Sequence, residues 1–221
     1  MPGKTYIKNR RASKMVSYPF LWRCYRQTPL VEAMGNVESV ISTHSLGMQK
    51  KGIPYGDVDY RGNLDLIALL KSNGGGKFVF ISALGAPPGS PFQLYRVKKI
   101  IEHVLTVYGL DYTVFKPSGF FSDFTMAARL VRKFHLYPAM GSGDHQIQGI
   151  AVEDLARCAI DALTNTRASH RVFSAGGPEI LTFKKVAALY AQLLGHNVRT
   201  FPITRTLFED YLKECRAQNS A

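Results

Sequence analysis

The chain has 221 residues, of which 46% are apolar and 20% charged, a composition typical of a globular protein large enough for one sizeable hydrophobic core. No stretch approaches the roughly 20 apolar residues that cross a bilayer, which excludes a helical membrane span. Three widely spaced cysteines match neither a zinc site nor a disulfide framework, and they favour a reducing compartment such as the cytoplasm.

The net charge of +12 is unevenly distributed. The first 29 residues contain seven basic side chains and no acidic one, which leaves +5 for the other 192 residues. This segment could be an organelle-targeting presequence, a nucleic-acid arm or a stretch without a specific role. No aromatic-interleaved RNA-binding motif or helix-turn-helix pattern supports nucleic-acid contact, so residues 1–29 stay unassigned.

From residue 30 onward, short apolar runs alternate with segments of helical period. The run 77–84 is almost continuously apolar, which is typical of a strand buried on both faces of a parallel sheet, and 111–116 is predicted to be a further buried strand. The triplet Gly74-Gly75-Gly76 predicts the end of one helix, and Gly109 the end of the next. In chain order we predict a helix ending at 30–34, a strand at 37–43, a helix at 58–72, a strand at 77–84, a helix at 95–108 and a strand at 111–116.

The later part of the chain is more mixed. We predict helices at 124–134, 152–163 and 183–194 and a strand at 171–175. Thr182 is positioned to cap the last of these helices. The alternation of strands and helices favours right-handed βαβ units and a parallel sheet. We therefore expect an α/β fold in which one domain covers residues 30–221 and ends in a small C-terminal α/β lobe.

Several motifs occur together in this order. They are VDYRGNL at 58–64, FVFISALG at 78–85, KKIIE at 98–102, GLDYT at 109–113, KPSGFF at 116–121, VEDLA at 152–156 and GGPE at 176–179. Over residues 30–203 the chain thereby resembles the atypical short-chain dehydrogenase/reductases, including NmrA-like proteins. The resemblance implies a doubly wound, Rossmann-type parallel sheet that binds NADP or NAD beyond the carboxyl ends of its strands. Some members are reductases or epimerases, and the NmrA-like sensors bind cofactor without turnover.

The glycine-rich turn that grips the cofactor's pyrophosphate in this family has no counterpart in the sequence. Where the family has three strands with their helices, this chain has 29 residues with one glycine, Gly3. Such a turn brings backbone N–H groups to the phosphates at a helix N-terminus. We therefore expect a truncated Rossmann-type sheet whose cofactor binding is weak or lost. An incomplete gene product is a further reading, which sequencing of the full transcript would test.

Truncation also places the strand from Val37 to Thr43 at the edge of the sheet. An apolar edge strand invites pairing with another chain or with the protein's own N-terminal segment. We predict that part of residues 4–22 covers this edge, or that the protein forms a homo-oligomer or binds a partner protein there.

The resemblance supplies two alternatives for the catalytic lysine. Tyr95 and Lys99 have the spacing of the proton donor and lysine of family reductases, in which the lysine also holds the nicotinamide ribose. Aligning Glu102 with the family pattern instead puts Lys98 at the lysine position and Leu94 at the tyrosine position. A helix turns about 100° per residue, so only one of the two lysines can face the site. We favour Lys98, and Tyr95 could equally be a partly buried aromatic at the helix start.

Other candidates stand at predicted strand ends and helix starts. Ser82 matches the first serine of the family's pair, whereas Ala83 occupies the second, catalytic position. Thr43 and Asn63 are candidate cofactor contacts, although Asn63 and Asp59 could simply cap and brace a helix start. The resemblance places Pro117, Ser118, Gly119 and Phe120 beside the nicotinamide. The histidines show no metal-ligand spacing, so we predict no metal site.

Two functions from different classes remain open. The first is an NAD(P)-dependent oxidoreductase that acts on a small carbonyl or alkene substrate with weak cofactor binding. The second is a non-catalytic remnant that serves as a structural, interaction or redox-sensing protein through its exposed sheet edge. Cofactor titration tests the first hypothesis, and light scattering on a size-exclusion column tests the second.

Overall fold

A computed structural model describes residues 5–9, 12–18, 27–45, 56–85 and 92–203, and all structural statements concern these residues. The chain divides into two compact units. The first contains Met1–Pro117 and Asp154–Ala175, and the second contains Ser118–Glu153 and Gly176–Ala221. The two units thus alternate along the chain.

The first unit is built on a six-stranded sheet with the order β2-β1-β3-β4-β5-β8. Its strands are β1 (Thr5–Asn9), β2 (Ala12–Tyr18), β3 (Val37–Ser42), β4 (Lys77–Ile81), β5 (Asp111–Pro117) and β8 (Arg171–Ala175). The strands β3, β4, β5 and β8 are neighbours in this order and run parallel, which confirms the predicted α/β parallel sheet. All five residues of β4 are buried, as the apolar run that follows Lys77 predicts for a central strand.

The edge of β3 is paired with the chain's own N-terminal segment. β1 runs antiparallel to β3 from Thr5 opposite Ser42 to Asn9 opposite Val37, and β2 pairs antiparallel with β1. This confirms the first of the two predicted outcomes for the edge, namely coverage by part of residues 4–22. Because β1 is paired with β3, this side of β3 is already occupied. A homo-oligomer or partner protein at this edge stays a prediction.

Helices cover both faces of the sheet in the first unit. They are α1 (Gln27–Met34), α2 (Gly62–Ser72), preceded by a π-helical turn at Gly56–Arg61, α3 (Gln93–Tyr108) and α6 (Val152–Asp161). Leu30, Leu66 and Ile101 from the first three helices join Phe78 and Val114 of the sheet in one buried core cluster. The alternate residues of the strands point to the other face, where the segment after α6 accepts a hydrogen bond from Thr113 Oγ1 at the Ala168 carbonyl, 2.6 Å away.

The second unit has its own core, formed by helices packed on a two-stranded parallel sheet. Its elements are α4 (Phe121–Thr125), α5 (Ala128–Phe134), β6 (Leu136–Met140), β7 (Gln146–Ile147), β9 (Leu181–Thr182), α7 (Phe183–Leu194) and β10 (Arg199–Ile203). Thr182 caps α7 as predicted, because its hydroxyl accepts a hydrogen bond from the Lys185 amide at 3.1 Å.

The single helix predicted at 124–134 was wrong, since two short helices, α4 and α5, lie there. The first begins earlier because the Asp123 carboxylate accepts a hydrogen bond from the Phe120 amide at 3.1 Å and fixes the helix start. The strands β6 and β10 were not predicted, since Pro138 and Pro202 interrupt their β pattern. A two-stranded sheet consists only of edge strands, where a proline can point its missing N–H away from the partner.

Most predicted boundaries in the first unit lie within a few residues of the observed ones. β4 ends at Ile81, three residues before the predicted end at Leu84, and the predicted helix at 58–72 starts as a π-helical turn. Gly109 ends α3 with a φ of 69°, in the left-handed region that favours glycine. Within the described ranges, no helix is both long and apolar enough to cross a membrane.

Candidate functional site at the strand ends

A group of buried polar side chains lies where β3 and β4 end. Ser42 is the last residue of β3, Ser82 directly follows β4, and Asn63 stands in the first turn of α2. Each is at most 3% exposed. In an open α/β sheet, ligands bind beyond the carboxyl ends of the parallel strands, so this group occupies the place where a site is expected.

Lys98 is the buried cation of this group. It lies on the inward face of α3 with Val97, Ile101 and Leu105 and is 7% exposed. Its amine donates a hydrogen bond to the carbonyl of Ile81 at 2.8 Å and lies 5.2 Å from the centre of the Phe80 ring. Burial lowers the pKa of Lys98 to about 8, although the carboxylates of Asp59 and Glu102 oppose that decrease.

The neighbouring candidates on α3 have different surroundings. The Lys99 side chain is 42% exposed and forms an ion pair with Glu102 at 3.2 Å. The hydrogen bond to Glu102 raises the pKa of Lys99. Tyr95 is half-buried and packs edge-to-face on Phe92, with 5.6 Å between the ring centres. The sequence pair Tyr95 and Lys99 is therefore separate from the buried amine, and Leu94 stands four residues before Lys98.

Glu102 accepts hydrogen bonds from three side chains beside β4. Its carboxylate accepts hydrogen bonds from Ser82 Oγ at 2.5 Å, Lys116 Nζ at 2.8 Å and Lys99 Nζ at 3.2 Å. Burial alone would raise the pKa of Glu102, but the hydrogen bonds from Lys116, Ser82 and Lys99 outweigh it and hold that pKa below its ordinary value. The Ser82 hydroxyl thus braces the end of β4 through Glu102, and a catalytic role for it remains a prediction.

Asn63 connects the end of β3 to the start of α2. Its Oδ1 accepts a hydrogen bond from Ser42 Oγ at 2.6 Å, and its Nδ2 donates to the Asp59 carbonyl at 2.6 Å and to the His44 carbonyl at 3.5 Å. Both polar atoms of the side chain are thereby engaged within the protein. Thr43 is half-buried between Ser42 and His44, and its predicted contact with a cofactor, like that of Asn63, remains untested.

Asp59 and His44 belong to the same buried group, and sequence reasoning did not place them in it. They are 2% and 6% exposed. Burial lowers the pKa of His44, with Asp59 opposing and Lys98 adding to that decrease. The His44 ring occupies the space above Gly62, where a Cβ would lie 2.8 Å from its Nε2. We expected His44 to be a scattered surface or core residue.

Asp59 does not occupy the N-cap position of α2. The residue that precedes α2 is Arg61, and no side-chain hydrogen bond caps the helix there. A signal was available in the sequence, because Asp59 and Asn63 are four residues apart and continue the spacing of the buried Leu66 and Leu70. Helical periodicity therefore puts both polar residues on the inward face.

The predicted residues after β5 fall on both sides of the boundary between the units. Pro117 ends β5 in the first unit, where its carbonyl accepts a hydrogen bond from the Leu84 amide at 2.9 Å. In the second unit, Ser118 donates to the Gln148 carbonyl, and the Gly119 carbonyl accepts from Ile150 at 3.0 Å.

The amide of Phe120 donates to Asp123 at the start of α4. It therefore already has a partner within the protein, although the resemblance implies that backbone amides of this segment face the nicotinamide. The predicted cofactor contacts of Pro117, Ser118, Gly119 and Phe120 remain predictions.

A cavity of about 510 Å³ in the first unit is lined by Phe115, Cys158, Phe173 and residues near them, and it contains none of the strand-end side chains. Across the described part of the chain, no three His, Cys, Asp or Glu side chains are grouped as a metal site would require.

Curated proteins with similar sequences include an azoreductase and agroclavine dehydrogenases. No protein-family profile matches the chain. It is 30% identical over 140 residues to the NAD(P)H azoreductase of Xenophilus azovorans, an alignment that covers 63% of this chain and 48% of the azoreductase. It is 27% identical over 180 residues to the photosystem II assembly factor Ycf39 of Cyanophora paradoxa, which covers 77% of this chain and 53% of that protein. The chain thus spans about half the length of the curated relatives it matches.

Solved structures with the same fold are also found. A triphenylmethane reductase from Citrobacter sp. has a TM-score of 0.70 at 13% identity, with 86% of this chain and 64% of that chain covered. An NADPH-dependent quinone oxidoreductase from Escherichia coli, solved with NADPH, has a TM-score of 0.67 at 18% identity, with 80% and 59% covered. At these identities the likeness concerns the fold alone.

Proposed function

We propose that this chain is an oxidoreductase of the atypical short-chain dehydrogenase/reductases, a group with the NAD(P)-binding Rossmann fold that includes the NmrA-like proteins. In this proposal it binds NAD(P)H weakly, through the nicotinamide ribose. The observation that carries the proposal is the buried amine of Lys98 at the end of β4. When bound, the cofactor supplies a hydride.

The strand-end group fits the ribose end of such a cofactor. An ammonium group has three N–H donors, and within the described ranges only the Ile81 carbonyl accepts one from Lys98. Its remaining donors are suited to ribose hydroxyls. Asn63 and Ser42 hold the neighbouring helix start in place through their hydrogen bond of 2.6 Å, so the amine meets a preformed surface.

The pyrophosphate end has no equivalent support. The sequence contains no G-x-G-x-x-G turn of the kind whose backbone N–H groups surround a phosphate at a helix N-terminus. The ribose contacts then carry the affinity, and we expect dissociation constants in the high-micromolar to millimolar range. The two cofactors NADP and NAD differ at their adenosine end, and titration with each of them decides between them.

The proposed substrate class follows from the absence of a hydroxyl group at two positions near Lys98. Leu94 and Ala83 stand where the family pattern has its tyrosine and its catalytic serine, so neither position offers a proton donor beside Lys98. An acceptor that takes a hydride onto a conjugated system and its proton from water requires no such group. Small conjugated compounds, such as the azo compounds and quinones in the names of similar proteins, are therefore the first substrates to test.

Calorimetric titration with NADPH and with NADH tests the binding. We expect Lys98→Met to weaken binding at least about tenfold, because a hydrogen bond from a charged group contributes about 1.5–3 kcal/mol. Lys99→Met is the matched control, one residue along the same helix, and should change the affinity by less than about twofold. Absence of both heat and thermal stabilisation at millimolar cofactor would exclude the proposal.

A second candidate is a non-catalytic interaction protein. Leu94 and Ala83 favour this candidate as well, since a protein without the family's tyrosine and serine need not turn over a bound cofactor. Ycf39, an assembly factor, is among the similar proteins. A homo-oligomer or partner at the 37–43 edge would have to displace β1 from β3. Light scattering on a size-exclusion column, together with an acceptor screen, separates the candidates, because a stable complex without turnover favours this one.

The location is proposed as cytoplasmic, with organelle targeting by the basic residues 1–29 as the alternative. Fusion of residues 1–29 alone to a fluorescent protein tests the alternative. Import of the fusion into an organelle would replace the cytoplasmic proposal.

A further inference from the structure

The cavity of about 510 Å³ in the first unit lies apart from the strand-end group. It is lined by residues of β5, β8, α6 and the segment that directly follows this helix. Val114 of β5 belongs to the core cluster beneath α2 and α3, so its neighbour Phe115, which lines the cavity, points to the opposite face of the sheet. The cavity and the α3 residue Lys98 are therefore on different faces of the sheet.

Two phenylalanine rings form an apolar surface in this cavity. Phe115 and Phe173 are directly opposite each other in the register of β5 and β8, with 5.5 Å between the ring centres and 23° between the ring planes. Phe115 is 7% exposed, whereas Phe173 is 39% exposed and leaves much of its ring open to solvent. A flat aromatic ligand that packed there would remove this apolar surface from water and extend the stack.

The turn beside the two rings is held in place by hydrogen bonds. Thr113 Oγ1 of β5 donates to the Ala168 carbonyl at 2.6 Å. The Arg167 amide donates to Asn165 Oδ1 at 3.0 Å, and Asn165 Nδ2 donates to the Asp161 carboxylate of α6 at 3.0 Å. These bonds connect the turn to β5 and to α6, so the cavity is formed before any ligand enters it.

The charged side chains of the lining favour an anion. They are Arg157, Arg167 and Asp161. The Asp161 carboxylate accepts the hydrogen bond from Asn165, and Arg157 is paired at 3.7 Å with Asp154 on the surface, where such pairs contribute little. None of the ion pairs among the described residues involves Arg167. A guanidinium group can hold a carboxylate or sulfonate through two parallel hydrogen bonds.

We propose that this cavity binds a small aromatic monoanion, with its rings packed on Phe115 and Phe173 and its acid group paired with Arg167. A neutral aromatic compound would leave Arg167 without a counterion, and an aliphatic acid would leave the Phe173 ring in water. Asp161 repels a second acid group, which limits the ligand to one negative charge. The site goes beyond the proposed function and does not depend on it, because the two lie on different faces of the sheet.

Fluorescence titration of the full chain with two dyes tests the proposal. Anilinonaphthalene sulfonate is an aromatic monoanion, and phenylnaphthylamine has the same rings without the sulfonate. We expect Arg167→Gln to weaken binding of the sulfonate about five- to tenfold and binding of the neutral dye by less than about twofold. Phe173→Ala should weaken binding of both dyes at least about fivefold, because both use the aromatic surface.

Two matched controls lie in the second unit. Arg199→Gln and Phe134→Ala each change an exposed side chain of the same type outside the cavity, and both dyes should bind them as they bind the wild type. An equal loss of both dyes in Arg167→Gln would overturn the pairing with the acid group. Unchanged affinity for both dyes in Phe173→Ala would overturn the site itself.

Alkylation of Cys158 locates the bound dye in the unaltered protein, so this measurement does not depend on the folding of a variant. The thiol of Cys158 is exposed and lines the cavity. A saturating concentration of anilinonaphthalene sulfonate should slow the reaction of this thiol with iodoacetamide severalfold, as read from its peptide by mass spectrometry. An unchanged rate at saturation would place the dye elsewhere and overturn the proposal.

Discussion

The central strand β4 has a buried lysine at each end, and the two lysines are held in opposite ways. Lys77, 6% exposed at the start of the strand, forms an ion pair with Asp111 at 3.3 Å and donates to Ser169 Oγ at 3.0 Å. Ser169 in turn donates to Asp111 at 2.9 Å, which closes a ring across the amino ends of β4 and β5. Lys98, beyond the carboxyl end, donates to a main-chain carbonyl and rests on an aromatic ring.

The difference separates a structural ion pair from a group available for binding. The ring at the amino ends satisfies the Lys77 charge inside the protein. The amine at the carboxyl ends keeps donors for a ligand, and its burial makes it sensitive to pH. One end of the sheet therefore contributes stability, and we propose that the other binds a ligand at some cost in stability.

The largest expected effect is the pH dependence of stability that Lys98 creates. In the unfolded chain its amine has the ordinary pKa of 10.5, whereas in the folded protein burial lowers that pKa to about 8. Below pH 8 the folded state carries a buried charge, and between 8 and 10.5 unfolding takes up a proton. The free energy of unfolding should therefore rise through this window, by up to about 3 kcal/mol.

Urea denaturation at a series of pH values measures this rise. The variant Lys98→Met lacks the titrating amine, so its stability should change less than the wild type's between pH 8 and 10.5. Identical pH profiles for the two proteins would mean that Lys98 does not carry the effect.

The next effect in size concerns Lys77. We expect Lys77→Met to lower the free energy of unfolding by about 1–2 kcal/mol, because Asp111 and Ser169 lose their shared partner. The loss is moderate because the Asp111 side chain is 40% exposed and regains water. NADPH binding should stay within about twofold of the wild type, in contrast to Lys98→Met. An equal loss of binding in both variants would erase the distinction between the two ends.

The smallest effects are expected from two serines, one near each end of β4. Ser169→Ala breaks the ring at the amino ends and should lower the free energy of unfolding by about 1 kcal/mol. Ser82→Ala should lower it by only about 0.5 kcal/mol, because Glu102 keeps its two lysines. Removal of the Ser82 hydroxyl should also raise the pKa of Glu102 towards its ordinary value, which NMR titration of the carboxyl carbon would detect.

The sheet and its long helices were predictable because their signals are local. The run of five buried residues in β4 and the glycine that ends α3 are visible in the sequence itself. The second unit was harder, since β6 and β10 pair across about sixty residues and each contains a proline. No window short enough to show periodicity contains both strands.

The candidate site was predictable in part. The resemblance drew attention to Lys98, and the structure finds that amine buried while Lys99 is partly exposed. His44 was missed because it follows β3 at the start of a loop, where no periodic pattern identifies an inward-facing ring. Asp59 was missed because a carboxylate near a helix start is usually a cap. Its burial depends on the packing of the π-helical turn on α3, two elements that lie about forty positions apart in the chain.

The polarity of β1 has a practical consequence for handling the protein. Because β1 runs opposite to β3, Thr5 pairs with Ser42, the residue whose hydroxyl holds Asn63. The chain therefore enters the sheet at the edge where the strand-end side chains gather. A purification tag fused ahead of β1 would be attached only a few residues from that edge, so it should be cleaved off before cofactor titrations.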